Sequence, residues 1–500
     1  MPRKAPKKLF LNADLHYQGT EIDAVVDVLF EEIKKKKQRI REAEEYKRHI
    51  SILVLNLFEA YRISESSMSI GISRNANYYS GKSIGYKYMV TGTLDNLVDS
   101  GYVNLVSKGV YIPKEDKKKN SRKRKDNPNV EATVSTYRAS KKLIKLFKSL
   151  NLYKVKQDFD KFFSVRVGNK ETKLVDPLEN DFYFEQKETL KSINEYYDSI
   201  HIDLCVTNDE LTKIRQQMSN KKARAEWLIS EDDVLLRDIN FRDKYIYRKF
   251  WNNDYNLHGR YYGGFWQGIP SEWRQRLTIN NQRTTELDYT NMHFAMLYHE
   301  KGLMMNLSED LYDFSSKVPS WKKGEYRDEC KLVMNYMLNC DDKEQVLKVI
   351  NNNKKEMPKV PKGFTWEGLI DFLIEQNQPI EDAFFSNQGI RLMFHDSRIV
   401  EQILKWGVKE DICVLSIHDS FCVKKQHEYK LLFKMHEVYE EIVGKVGKPV
   451  KQDYLGLKHL YDLEGDTSGY KDRLQEWNWH RQSYGDSSLP LTLPDGLDPI

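Results

Sequence analysis

The feature that most constrains this chain is a pair of acids, each set at the end of a strand-forming run. "TTELDYTNMHFAMLY", from Thr284, reads as a strand passing into a helix, with Asp288 at the junction between Leu287 and Tyr289. "DICVLSIHDSFCVKK", from Asp411, reads as a buried strand, a tight turn at His418-Asp419-Ser420 and a return strand. An acid or threonine before a helix has a simple structural use, so Asp288 or Thr290 as an N-cap is the competing role. The second acid gives the first a partner. If the two strands are sheet neighbours, the carboxylates meet on one edge and can hold two magnesium ions roughly 3.5–4 Å apart, suited to in-line displacement at phosphorus. Magnesium needs only a few carboxylates beside substrate phosphates, not a full protein cage.

A chain of 500 residues is too long for one ordinary core and implies two or three domains. Hydrophobic residues make up 40%, enough for packed cores, and no apolar run reaches the length of a membrane span. "MPRKAPKKLF" lacks the apolar stretch of a secretory signal. Five scattered cysteines (205, 330, 340, 413 and 422) give neither a disulfide framework nor a zinc pattern and suit a reducing cytoplasm.

Net charge is only +5, but positive charge clusters at "KKKK" from Lys34 and "KEDKKKNSRKRK" from Lys114. Such clusters can neutralise phosphates, so nucleic acid is a reasonable partner, with merely solvated Lys-rich loops as the alternative. Residues 1–150 read as helix, turn, helix and a hairpin with a basic tip, the layout of a winged helix-turn-helix. Residues 83 to 98 would be its recognition helix, and Lys117, Lys118, Lys119, Arg122, Lys123, Arg124 and Lys125 its phosphate-touching wing. A winged helix that docks protein instead is the alternative. Residues 151–250 read as a charged, mostly helical connecting or thumb-like region, and residues 466–500 as a loosely attached polar tail.

Further candidate groups flank the acid pair. "YRDECKLVMNYMLNC" places Arg327 and Lys331 one helical turn apart on a single face, which by itself reads as an exposed helix with ordinary basic residues. In "LHGRYYGGFWQGIP", Arg260 supplies a cation, Tyr261 and Tyr262 supply stacking surfaces, and Gly259, Gly263 and Gly264 allow close backbone approach. His395, Asp396 and Arg398 read as the polar face of a surface helix.

Taken in order, these segments resemble the family-A nucleic-acid polymerases over roughly residues 255 to 445. "LDYTNMH" resembles motif A, Arg327-x-x-x-Lys331 the opening of motif B, and "SIHDSF" motif C. "GRYY" resembles an element of bacteriophage-type single-subunit RNA polymerases. The resemblance implies an α+β chain with a right-hand palm and fingers core over residues 251–465. It implies Asp288 and Asp419 as catalytic metal ligands, joined by the main-chain carbonyl of Tyr289, with His418 beside the primer end. It further implies Arg327 and Lys331 on the incoming nucleotide, and Arg260 on template and primer. The chain departs from the pattern at sugar selection: His293 stands where DNA-making members carry a glutamate, Asn339 falls near the expected ribose position, and "HDSF" is closer to the RNA-making branch.

The expected function is a template-directed nucleotidyltransferase, a DNA polymerase or primase-polymerase of a mobile element, without proofreading. Its partners would be DNA template and primer, nucleoside triphosphates, Mg2+ with Mn2+ as substitute, and a helicase or accessory replication protein, with no membrane. A single-subunit RNA polymerase and a non-catalytic DNA-binding replication initiator are the alternatives.

Overall fold

The structure is a computed structural model that describes residues 7–36, 42–63, 68–79, 84–109, 134–150, 155–220 and 239–491, with short gaps inside several of these ranges. The fold is α+β. It divides into two compact units: Met1–Phe159 with Trp227–Asn240, and Asp160–Glu226 with Phe241–Ile500.

In the first unit, the helices Glu21–Lys36 and Ala43–Ile63 bury the apolar positions that their periodicity marks, among them Leu29, Ile33, Ile50, Leu53 and Leu57. They pack with a four-stranded sheet ordered Lys7–Phe10, Met68–Ile72, Ser135–Ala139, Val103–Ser107. The first pair is parallel and the other two are antiparallel. The expected second helix runs over Lys87–Leu94 in π register and continues α-helically through Asp95–Asp99. Gly92 permits the close approach: a Cβ there would lie 2.8 Å from Cε1 of Tyr46. The wing residues Lys117, Lys118, Lys119, Arg122, Lys123, Arg124 and Lys125 lie outside the described residues.

The second unit is built on two sheets. In one, Leu415–Ile417, Ser420–Lys424, Gln282–Tyr289, Leu277–Ile279 and Ile202–Leu204 follow one another, and Val450–Leu455 also pairs with Gln282–Tyr289. Asn280 and Asn281, both at positive φ, close the hairpin between Leu277–Ile279 and Gln282–Tyr289, the backbone that a two-residue hairpin turn requires. The other sheet orders Asp254–Gly263, Ile246–Trp251, Phe163–Val167 and Lys173–Val175. The helix Gln388–Lys409 lies across strand Asp254–Gly263, joined by Arg260 to Asp396 and by an Arg248–Glu401 pair from the neighbouring strand.

Two expectations for this region need correction. Residues 151–250 are not a mostly helical arm. They hold the helices Asp181–Asp198 and Asn208–Asn220, but also strands that belong to both sheets of the second unit. Those strands are three to six residues long and find their partners far along the chain, so local periodicity does not reveal them. Nor do residues 466–483 of the expected polar tail lie loose. Helix Ser468–Ser483 buries Tyr470, Leu474 and Trp477, and Arg473 forms a bidentate ion pair with the buried Asp203. Its polar composition hid a narrow buried stripe.

Candidate active site

The strand Gln282–Tyr289 has two chemically distinct faces. Leu287 and Tyr289 pack toward helix Glu428–Ile442: the Tyr289 hydroxyl donates to the Met435 carbonyl at 2.6 Å, and its ring lies 5.6 Å from that of Tyr439. Alternation therefore turns Glu286 and Asp288 to the opposite face. Asp288 is register-paired with Ser420 of the return strand. One step further, the Tyr289 N–H donates to the Asp419 carbonyl at 3.3 Å. The two acids thus occupy adjacent positions of one antiparallel ladder, at the end where the hairpin turns. His418, in the turn, takes the left-handed conformation with φ 58°.

The capping role for Asp288 is not the one observed. Helix Met292–Glu300 has Asn291, itself left-handed, at its N-cap position, and the Asn291 side chain makes no capping bond. Asp288 is half-buried on the strand.

Around the pair, Arg260 donates through Nε to Oδ2 of Asp396 at 2.9 Å, and Nε2 of His293 lies 2.9 Å from the same oxygen. Because Oδ2 only accepts, the Nε2 of His293 is the donor in this contact. Burial alone would push the Asp396 carboxyl up, but Arg260 and His293 hold it below its ordinary value. Asp396 is 2% exposed, so it is not part of a solvated helix face, and only Arg398 of that trio is exposed. A polar residue on the buried side of an amphipathic helix is invisible without its partner.

Strand alternation also separates the two tyrosines. Tyr262 stays half-exposed, its ring 6.0 Å from His418 and its hydroxyl 3.2 Å from Nε2 of His258. Tyr261 is buried, with the Arg248 guanidinium 4.7 Å from its ring centre, and offers no surface for a base. The glycine run meets protein: a Cβ on Gly263, whose φ is +103°, would lie 2.4 Å from the Tyr245 carbonyl. His258 is driven down to about 4, first by burial and then by Arg260, so its neutral ring accepts from Tyr262 while Nδ1 donates to the Lys249 carbonyl at 3.0 Å. His418 is held below the ordinary histidine value, first by its protein surroundings and then by Arg260, although its ring meets solvent.

Arg327 opens helix Arg327–Asn339, and Lys331 follows one turn later. Both cations lie 5.6 Å from the ring centre of Tyr312. Burial raises the Tyr312 hydroxyl above its ordinary value, Arg327 opposes this, and the Asp310 and Asp419 charges add to it. Arg327 is engaged by Asp310, whereas the exposed Lys331 has no carboxylate in ion-pair reach among the described residues. Asn339 is not brought to the site. It ends the helix about 18 Å from Arg327, its amide donates to the Asn335 carbonyl, and it packs against Gly389.

Three participants were missed from sequence: Asp396, Glu286 and Arg274. Glu286 was the most accessible of them, since an acid two residues before Asp288 on a strand must share its face. The donors assembled at the ladder end are carboxylate and carbonyl oxygens, which suit a hard divalent cation. No group of three or more His, Cys, Asp or Glu side chains that could hold a metal occurs among the described residues, and two carboxylates suffice only where substrate phosphate completes the shell. No protein-family model matches the chain, and no curated protein matches it. No helix among the described residues is long and apolar enough to cross a membrane.

Proposed function

We propose that this chain is a template-directed nucleotidyltransferase of family-A type, with a palm centred on strands Gln282–Tyr289 and Ser420–Lys424 and fingers that include helix Arg327–Asn339. The observation that carries this reading is the ladder register that sets Asp288 beside Ser420 and Tyr289 beside Asp419. Residues 131 positions apart in sequence meet at one strand end.

Asp288, Asp419 and the Tyr289 carbonyl would hold the divalent cations. When bound, Mg2+ or Mn2+ lowers the pKa of the attacking hydroxyl and offsets charge on the phosphates. The reaction joins a primer 3′-oxygen to the α-phosphorus and breaks its bond to pyrophosphate, and the hydroxyl proton leaves to solvent. Lys331 is the cation available for the triphosphate. Arg327 must first exchange Asp310 for phosphate. His418 and Tyr262 form a neutral, partly exposed ring surface for the primer end. Arg260 is occupied by Asp396, so its contribution is to hold the carboxylate that fixes His293, the residue facing sugar choice.

For the first unit, the sheet order Met68–Ile72, Ser135–Ala139, Val103–Ser107 behind a helix at Lys87–Asp99 supports a winged-helix DNA-binding module. A DNA-binding module beside such a core fits replication or priming on a mobile element, with a helicase or accessory replication protein as partner.

The test is extension of a labelled primer, and synthesis on an unprimed template, with dNTPs or NTPs and Mg2+ or Mn2+. Asp288→Ala and Asp419→Ala should each lower incorporation by at least about 10³-fold. Extension at the wild-type rate by either variant refutes the assignment. Exclusive use of NTPs without a primer would move the chain to the single-subunit RNA polymerases.

A further inference from the structure

Glu286 is 1% exposed on the same face of the strand as Asp288, two residues before it. A third carboxylate so near the acid pair has two readings: another cation ligand, or a support. Its contacts decide between them. Oε1 accepts from Nη2 of Arg274 at 2.8 Å and from the Ser420 hydroxyl at 2.6 Å, while Oε2 accepts from Nε of Arg274 at 3.0 Å. Both oxygens are committed, and the charge is neutralised by a bidentate guanidinium. A ligand would need at least one oxygen turned outward.

Ser420 links this buried pair to the site. It is the first residue after the His418–Asp419 turn and the register partner of Asp288. Its hydroxyl bonds the end of this turn to the strand that carries Asp288. The turn contains a non-glycine residue in the left-handed region, a conformation that persists only where its surroundings hold it.

We infer that Arg274, Glu286 and Ser420 are positioning residues that fix the Asp419 turn against Asp288. Arg274 neutralises Glu286, Glu286 anchors the Ser420 hydroxyl, and Ser420 sets the turn. The inference rests on the polymerase reading in one respect, that the two aspartates bind the cation. None of the three residues touches substrate. Outer-shell partners of this kind set ligand orientation, and their loss typically weakens a metal about 10-fold or more.

The experiment uses the full chain and Mn2+ alone, with binding followed by electron paramagnetic resonance, alongside primer extension with kcat separated from KM for the nucleotide. Ser420→Ala removes one hydroxyl and leaves the Arg274–Glu286 pair in place, so the fold should persist. Glu286→Gln, which keeps an acceptor for Ser420 but weakens the ion pair, is the second variant. Ser420→Ala should weaken Mn2+ about 10-fold, lower kcat at subsaturating metal and leave the nucleotide KM within about twofold. Ser420→Thr should restore most of the affinity. Glu286→Gln should weaken Mn2+ less than Ser420→Ala.

Wild-type Mn2+ affinity in both Ser420→Ala and Glu286→Gln, with a wild-type chain that binds Mn2+ and extends primers, overturns the positioning role. A reduced number of bound ions in Glu286→Gln also overturns it, because Glu286 would then be a ligand. If instead the wild-type chain binds no more Mn2+ than Asp288→Ala/Asp419→Ala, the polymerase reading itself fails.

Discussion

Replacing Asp396 with asparagine gives a test of the site that needs no assumption about activity. Asp396 is 2% exposed and holds Arg260 and His293 together through Oδ2. Asparagine keeps the volume and one acceptor oxygen, so what is lost is chiefly the charge. Breaking a buried pair by removing one partner costs about 3–5 kcal/mol. Arg260 keeps 19% of its side-chain exposure, so water recovers part of that, and about 2 kcal/mol is the expected loss. For a unit of this size that corresponds to a Tm lowered by about 4 °C. The sign with pH follows from the depressed Asp396 carboxyl. The pair's contribution is complete above the unfolded value near pH 4 and fades as pH falls through the lower folded value, so the difference between wild type and variant should shrink toward acid. Thermal melts of the wild type, Asp396→Asn, Arg260→Met, Asp396→Leu and the Arg260→Met/Asp396→Leu double variant complete the test. The double variant removes both charges and should be more stable than the sum of its single changes by about 1 kcal/mol or more. Additive single changes, or an Asp396→Asn melt within about 1 °C of wild type, would show that the triad is not coupled.

Asp310→Asn should free Arg327 for phosphate and lower the nucleotide KM about threefold with little change in kcat in primer-extension kinetics; an unchanged KM removes Arg327 from the nucleotide site. Arg473→Met leaves the buried Asp203 without its cation and should lower Tm by several degrees, an effect that a loosely attached terminus would not show. His258 has a folded value near 4, below its ordinary 6.5, so its contribution is complete above about pH 6.5 and falls by roughly 3 kcal/mol by pH 4. Denaturant melts at pH 7 and pH 4.5 should therefore differ less for His258→Asn than for wild type.

The site elements legible in the sequence were those whose signal is local. The strand, turn and strand around Asp419 follow from an apolar run, a polar dipeptide and a second apolar run, and the structure has Leu415–Ile417, a turn and Ser420–Lys424 there. Helix Glu428–Ile442 buries Leu431, Met435, Val438 and Tyr439, as their helical spacing requires. What escaped was whatever depends on a distant partner. Asp396 looks like a surface acid until Arg260, 136 residues earlier, is laid beside it. Tyr261 and Tyr262 look equivalent until a strand assigns them to opposite faces. The left-handed residues at His418 and Asn291 are likewise held by tertiary contacts, since neither carries the glycine that would announce the turn.

Charge pairing gives the acid turn its meaning. Among the buried acids of the second unit, Asp203 has Arg473, Glu286 has Arg274, Asp396 has Arg260 and Glu401 has Arg248. Each needs its arginine because an ionised carboxylate removed from water is otherwise too costly to retain. Asp419 keeps partial access to solvent and, among the described residues, has no lysine or arginine within ion-pair distance. An acid whose only task was structural would be paired in the same way or turned fully outward. Half-sunk beside Asp288, with a neutralised Glu286 on the same strand face and a neutral His418 next to it, Asp419 retains an attraction that no ion pair meets among the described residues. On the proposed reading, a cation supplied from solution and completed by phosphate oxygens would meet it at the point where strand register joins the two segments.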